Sequence, residues 1–150
     1  MTRQPENLIS RTNFTRADFG SPDQWMEHGF MHSRLGKVAG KVFLRETLSL
    51  SSMEVSLTAL PPGASVPFLH AHHQNEELYV FISGEGEFQV DGEVFAIGAG
   101  SSVRVAPGGM RSWRAKGTEP LTCLVIQAKA GSLEQATGED GVLGENVPVW

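Results

Sequence analysis

Five side chains able to hold a metal ion crowd into eight positions: His70, His72, His73, Glu76 and Glu77. In an extended strand residues i and i+2 project from the same face, so the imidazoles of His70 and His72 would converge on one point. His73 has the opposite parity and is expected to turn toward solvent. A divalent metal needs a third group from a neighbouring strand or bend, and a carboxylate four or five residues on can supply it; Glu76 and Glu77 both qualify. The spacing by itself fits a solvated polar turn at least as well.

The elements that must position these groups read as β-structure. From Lys37 onward, short strand-like runs alternate with turn signals, the pattern of an antiparallel sandwich or barrel. In "MEVSLTAL", Met53, Val55, Leu57 and Ala59 share one face and Glu54, Ser56 and Thr58 the other, so one side should be buried and the other wet. "EFQVDGEVFAIGAG" is a hairpin, with Asp91-Gly92 supplying the positive backbone angles of a type I′ turn. Further runs are "KVFLRETLSL", "SVPFLHAH", "ELYVFIS", "SSVRVA", "RSWRAK" and "LTCLVIQAK", giving about nine strands and little helix. The segment around Trp25 and Phe30 keeps no sustained period and is expected to pack on the body as an arm. The acidic, glycine-rich end finishes in Trp150, which is expected to tuck against the body or a neighbouring subunit.

Composition narrows the partners. The chain of 150 residues is the size of one domain, and 12 Lys plus Arg stand against 17 Asp plus Glu with no basic stripe. Nucleic acid and membrane are therefore not expected as partners, and a small-molecule ligand is. The polar start and the lack of any apolar run near the roughly 20 residues of a membrane span predict a cytoplasmic protein. The single cysteine, Cys123, lies in "LTCLVIQ" and reads as a buried thiol acting as a small hydrophobe. His28 and His32 are four apart, but Gly29 between them argues against a helical metal pair, and both read as surface or arm residues. Arg104 is expected to face solvent, and Gly84-Glu85-Gly86 to form a turn rather than a phosphate loop.

The stretch around the histidines resembles the first motif of the cupin superfamily: a glycine, His-x-His, three or four residues, a glutamate, six residues and a glycine. Here His70-Ala71-His72 is followed after four residues by Glu77, and six residues separate Glu77 from Gly84, so the resemblance selects Glu77 over Glu76. Gly63 precedes His70 by six residues where the motif usually has five. The second motif is matched by Gly100 and the turn Ala106-Pro107-Gly108, but Arg111 stands where the family has its fourth metal ligand, a histidine, and Ala115 replaces a frequent asparagine. Arginine stays protonated and has no lone pair to give a metal.

The resemblance implies an all-β, double-stranded β-helix or jelly-roll cupin barrel over residues 37–130, with an N-terminal arm over 1–36 and a tail over 131–150. It implies a divalent metal (Fe, Mn, Zn or Ni) on His70, His72 and Glu77. Parity would place Trp113 beside an inward Arg111, Phe68 with the histidines, and Tyr79 and Phe81 with Glu77, together an aromatic cup for a substrate. Three readings follow. Arg111 holds a carboxylate or phosphate near an open metal, as suits an oxygenase, isomerase, epimerase or hydrolase; the pocket is a metal-free binding or sensory site; or Arg111 pairs with Glu77 in a vestigial site. Exposed barrel edges and apolar arms predict a homodimer.

Overall fold

The structure, a computed structural model, describes residues 2–150. A five-stranded antiparallel sheet forms one wall of a barrel. Its order is β10 (Ser102–Val105), β7 (Asn75–Ser83), β12 (Leu121–Lys129), β6 (Glu54–Leu60) and β5 (Lys41–Phe43). The facing wall is β11 (Arg111–Ala115), β8 (Glu85–Val90) and β9 (Glu93–Gly98). It is extended by residues 65–70, which run alongside β11 through bridges Ser65–Arg114 and His70–Arg111. Pro67 has no N–H to give a ladder, which is why "SVPFLHAH" does not become the regular strand its composition suggests. Among the described residues no helix is long and apolar enough to cross a membrane.

The register of the large sheet determines what faces the barrel. Lys41, Thr58, Cys123 and Phe81 form one inner row; Phe43, Ser56, Val125 and Tyr79 form the next; Glu54, Gln127 and Glu77 form the third. Tyr79, Phe81, Phe88, Trp113, Cys123 and Val125 close the interior as one buried cluster. Each large aromatic taken wholly out of water contributes roughly 1.5–3 kcal/mol. Burial pushes the Cys123 thiol up to about 12, so it is a packed hydrophobe and not a nucleophile.

Strand β6 corrects one expectation. Ser56 and Thr58, expected in water, are 3% and 5% exposed because their face is the barrel interior. The apolar face of the strand is the outer one, and Leu57 and Ala59 are buried there by Phe19, Trp25 and Leu44 in a second core. Alternation thus identified the two faces and inverted their surroundings, because the N-terminal segment supplies a cover that strand periodicity does not encode. That segment holds two hairpins, β1 (Glu6–Ser10) with β2 (Thr15–Asp18) and β3 (Gly29–His32) with β4 (Gly36–Ala39), around the 3₁₀ helix Pro22–Glu27.

His28 belongs to the same second core and is no surface residue: it is 1% exposed, with Nδ1 3.1 Å from the Arg3 carbonyl and Nε2 2.7 Å from the Phe19 carbonyl. Both ring nitrogens face backbone carbonyls rather than another metal-binding side chain, so His28 serves the packing of this core. The run "KVFLRETLSL" also divides: only Lys41–Phe43 is strand, and Arg45–Leu48 forms a helical turn, α1. Trp150 is fully exposed and does not tuck against the body.

Two glycines shape the site's frame. The β8–β9 hairpin turns at Asp91 (φ 50°) and Gly92 (φ 89°), as expected of a type I′ turn. Gly84, at φ +82°, ends β7 where a Cβ would lie 2.4 Å from the Pro120 carbonyl, so only glycine lets the strand leave the sheet there.

Candidate metal centre

His70 reaches the interior through its bridge to β11. Its N–H donates to the Arg111 carbonyl at 3.2 Å and the Arg111 N–H returns the bond at 3.0 Å. Residues exchanging both bonds stand directly opposite each other and send their side chains to the same side of the sheet, so His70 and Arg111 enter the barrel together. His72, two residues on, is fixed by its carbonyl, which accepts from the Gly108 N–H at 2.9 Å in the Pro107-Gly108 turn. Glu77 comes from the opposite wall, in the third inner row of β7. His73 is exposed, and Glu76 pairs outside the barrel with Arg104 at 2.6 Å.

One ligand atom from each of His70, His72 and Glu77 lies within 4.8 Å of the other two. Nε2 of His72 is 3.1 Å from Glu77 Oε1, and Nε2 of His70 is 4.0 Å from Glu77 Oε2. Burial, helped by the Arg111 charge, pulls the His70 imidazole down to about 4, so it is neutral near pH 7 and keeps a lone pair to donate. Two imidazoles and one carboxylate suit a divalent transition metal.

Arg111 supplies the complication. It is fully buried and donates to Glu77 Oε2, while its Nε donates to the Tyr79 hydroxyl at 3.2 Å. Its Nη1 faces the carbonyls of Gly109 (3.1 Å) and His70 (3.4 Å). The parallel pair of donors that an anion clamp needs is therefore already engaged within the protein. Tyr79 donates to the same Glu77 oxygen. Burial by itself would push the Glu77 carboxyl up, but the bonds from Arg111 and Tyr79 and the charge of Arg111 outweigh it and hold the group below its ordinary value. Burial and the Glu77 charge keep the Tyr79 phenol protonated far above its ordinary range.

The donor set still fits a metal, because Arg111 and Tyr79 take Oε2 and leave Oε1 shared only with His72. The fit is for three ligands with a one-oxygen carboxylate, and the buried guanidinium opposes the metal's charge.

The expected aromatic cup takes a different form. Tyr79, Phe81 and Trp113 are 0%, 1% and 5% exposed, and Trp113 stacks on Phe88 at 5.9 Å and 8°. These rings floor the site, and their faces are covered by one another; Phe68, 41% exposed and edge-on to His70 at 5.7 Å, stands at the mouth. Sequence reasoning missed Gln127, whose amide nitrogen lies 2.7 Å and 3.1 Å from the ring nitrogens of His72. Gln127 comes nearest to Nε2 of His72, the same nitrogen that faces Glu77 Oε1, so both neighbours bear on the ring at the edge turned toward the centre. The signal was present: Gln127 shares the parity of Cys123 and Val125 and is the polar residue on a core-facing row.

The family model for the cupin domain matches residues 56–127. A cupin protein from Bacteroides fragilis is 47% identical, with 69% of this chain and 88% of that one covered at a TM-score of 0.67. A predicted oxalate decarboxylase from Thermotoga maritima is 27% identical, covering 68% and 90% at a TM-score of 0.57. A sugar phosphate isomerase from Silicibacter pomeroyi, covering 68% and 69% at 0.57, is 21% identical and shares the fold alone. No curated protein matches the chain.

Proposed function

The chain belongs to the cupin superfamily, and on that premise we propose that it binds a divalent metal and takes up a small anionic molecule, a carboxylate, phosphate or sugar-like acid, as an oxygenase, isomerase or hydrolase. The observation that carries this reading is the convergence of the His70, His72 and Glu77 ligand atoms within 4.8 Å inside the barrel. When bound there, Fe, Mn, Zn or Ni would supply a Lewis acid able to polarise an oxygen of the ligand. The chain's own residues do the rest: Arg111 and Tyr79 orient Glu77, Gln127 orients His72, and the aromatic floor excludes water from below. The Thermotoga maritima relative is named for a small dicarboxylate, which supports an anionic ligand here.

The test is a screen of metal-reconstituted protein against small carboxylates and sugar phosphates, following both turnover and thermal shift. A ligand at about 100 times its dissociation constant stabilises the fold by about 2.7 kcal/mol. The expected result is such a shift, with turnover, for at least one compound; no shift with any of them would sink the reading. A second reading, a metal-free binding or sensory role, is favoured by the Glu77 network, in which both carboxylate oxygens already have protein partners. It predicts the same thermal shift after chelation and no turnover.

The chain is also proposed to pair with a second copy. Leu78 and Ile82 on the outer face of β7 are 36% and 40% exposed, beyond the reach of the N-terminal cover. Light scattering should give twice the chain mass of 16.2 kDa; a single-chain mass at micromolar concentration would refute it.

A further inference from the structure

We propose that Lys41, with Thr58 beside it, is the subsite that holds the anionic end of the ligand. The proposal rests on the anion-binding reading above and gives it the residue that Arg111 does not supply.

Lys41 lies in β5 directly opposite Thr58 of β6, in the first inner row of the large sheet. Its ammonium is 5.1 Å from the ring centroid of Phe43, two residues further along the strand. The side chain therefore runs along the barrel wall from its own row toward the row of Glu54, Gln127 and Glu77. Burial lowers the Lys41 ammonium, and Cys123 in its own row, then Glu77 and Glu54 in the third, act on it in the opposite sense. Among the described residues no side chain hydrogen-bonds the ammonium, which lies over the aromatic face of Phe43.

Glu77 and Glu54 act on the ammonium without a direct bond to it, so an anion brought into contact would pair with it more closely than either carboxylate does. Thr58 points the same way. It is 5% exposed, and its hydroxyl is buried with no hydrogen-bond partner among the described residues. An ammonium and an unpaired hydroxyl, carried by facing residues of one wall, are both groups that can donate to the oxygens of a carboxylate or phosphate. Arg111, the other interior cation, has its donors turned onto Glu77, Tyr79 and two carbonyls. Lys41 is thus the interior cation still able to meet a ligand's charge.

Isothermal titration of the full, manganese-loaded chain with oxalate and, separately, inorganic phosphate tests this and distinguishes the two oxyanion classes. Lys41→Met is expected to weaken whichever probe the wild type binds by about tenfold or more, with metal content unchanged. Lys41→Arg should recover most of the loss, and Thr58→Val should weaken binding by a smaller factor. Equal affinity in the wild type and Lys41→Met overturns the subsite alone. Binding of neither probe by the wild type overturns the anion-binding reading and the subsite with it. Should Lys41→Met fail to fold by circular dichroism, unchanged affinity in Lys41→Arg and Thr58→Val together overturns the proposal, and weakened affinity in Thr58→Val upholds it.

Discussion

Replacing Arg111 with methionine is expected to destabilise the metal-free protein by about 3–5 kcal/mol, the usual cost of leaving a buried charge without its partner. For a chain of this size that corresponds to a fall in Tm of about 10 °C. The guanidinium is fully buried and bonds Glu77, Tyr79 and two backbone carbonyls, so its removal orphans several acceptors at once. The pH dependence follows from Glu77, whose carboxyl sits below its ordinary value in the folded wild type. Its contribution is complete above the ordinary carboxylate range and is lost as the pH falls through the lowered folded value. In the methionine variant the bond and charge of Arg111 are gone and Tyr79 is left to hold the carboxyl down, so the difference between the two proteins should narrow on acidification. Chemical denaturation at neutral and acidic pH reads both effects; a neutral-pH difference under about 1 kcal/mol would show that the network adds little.

The second large effect concerns metal. Reconstituted wild type should carry one divalent ion per chain, whereas His70→Ala and His72→Ala should each carry almost none, because two remaining protein ligands do not hold a transition metal at micromolar concentration. Arg111→His should act in the opposite sense, raising affinity by about tenfold or more, since it replaces an opposing charge with a lone pair. Elemental analysis after desalting measures all four proteins. Equal metal content across them would remove the three-ligand centre from consideration.

How far these features were legible in the sequence depended on the range of the interaction involved. Local spacing carried His70 and His72, because a strand's parity is a property of neighbouring residues. The choice between Glu76 and Glu77 was not local and needed the resemblance; the fold then separates them, with Glu76 on the outer face beside Arg104 and Glu77 on the inner. The inward turn of Arg111 follows from its cross-strand pairing with His70, forty-one residues earlier, and no window of sequence contains that pairing. Ser56 and Thr58 were misplaced for a related reason. Polar residues on one face of a strand ordinarily meet water, but here that face is the inside of a barrel that also holds Lys41 and Gln127. A polar interior is what a binding cavity requires, so the error itself pointed toward function.

The placing of the tryptophans gives the molecule an optical consequence. Its three indoles occupy three separate surroundings: Trp25 is 7% exposed beneath the N-terminal hairpins, Trp113 is 5% exposed in the floor of the metal centre, and Trp150 stands free in solvent. A water-borne quencher meets only the last of these. What emission survives it comes from two dry sites, one of them stacked on Phe88 and touching Tyr79, whose hydroxyl bonds the Glu77 carboxylate. The protein thus carries its own fluorescent sensor of what happens at that carboxylate.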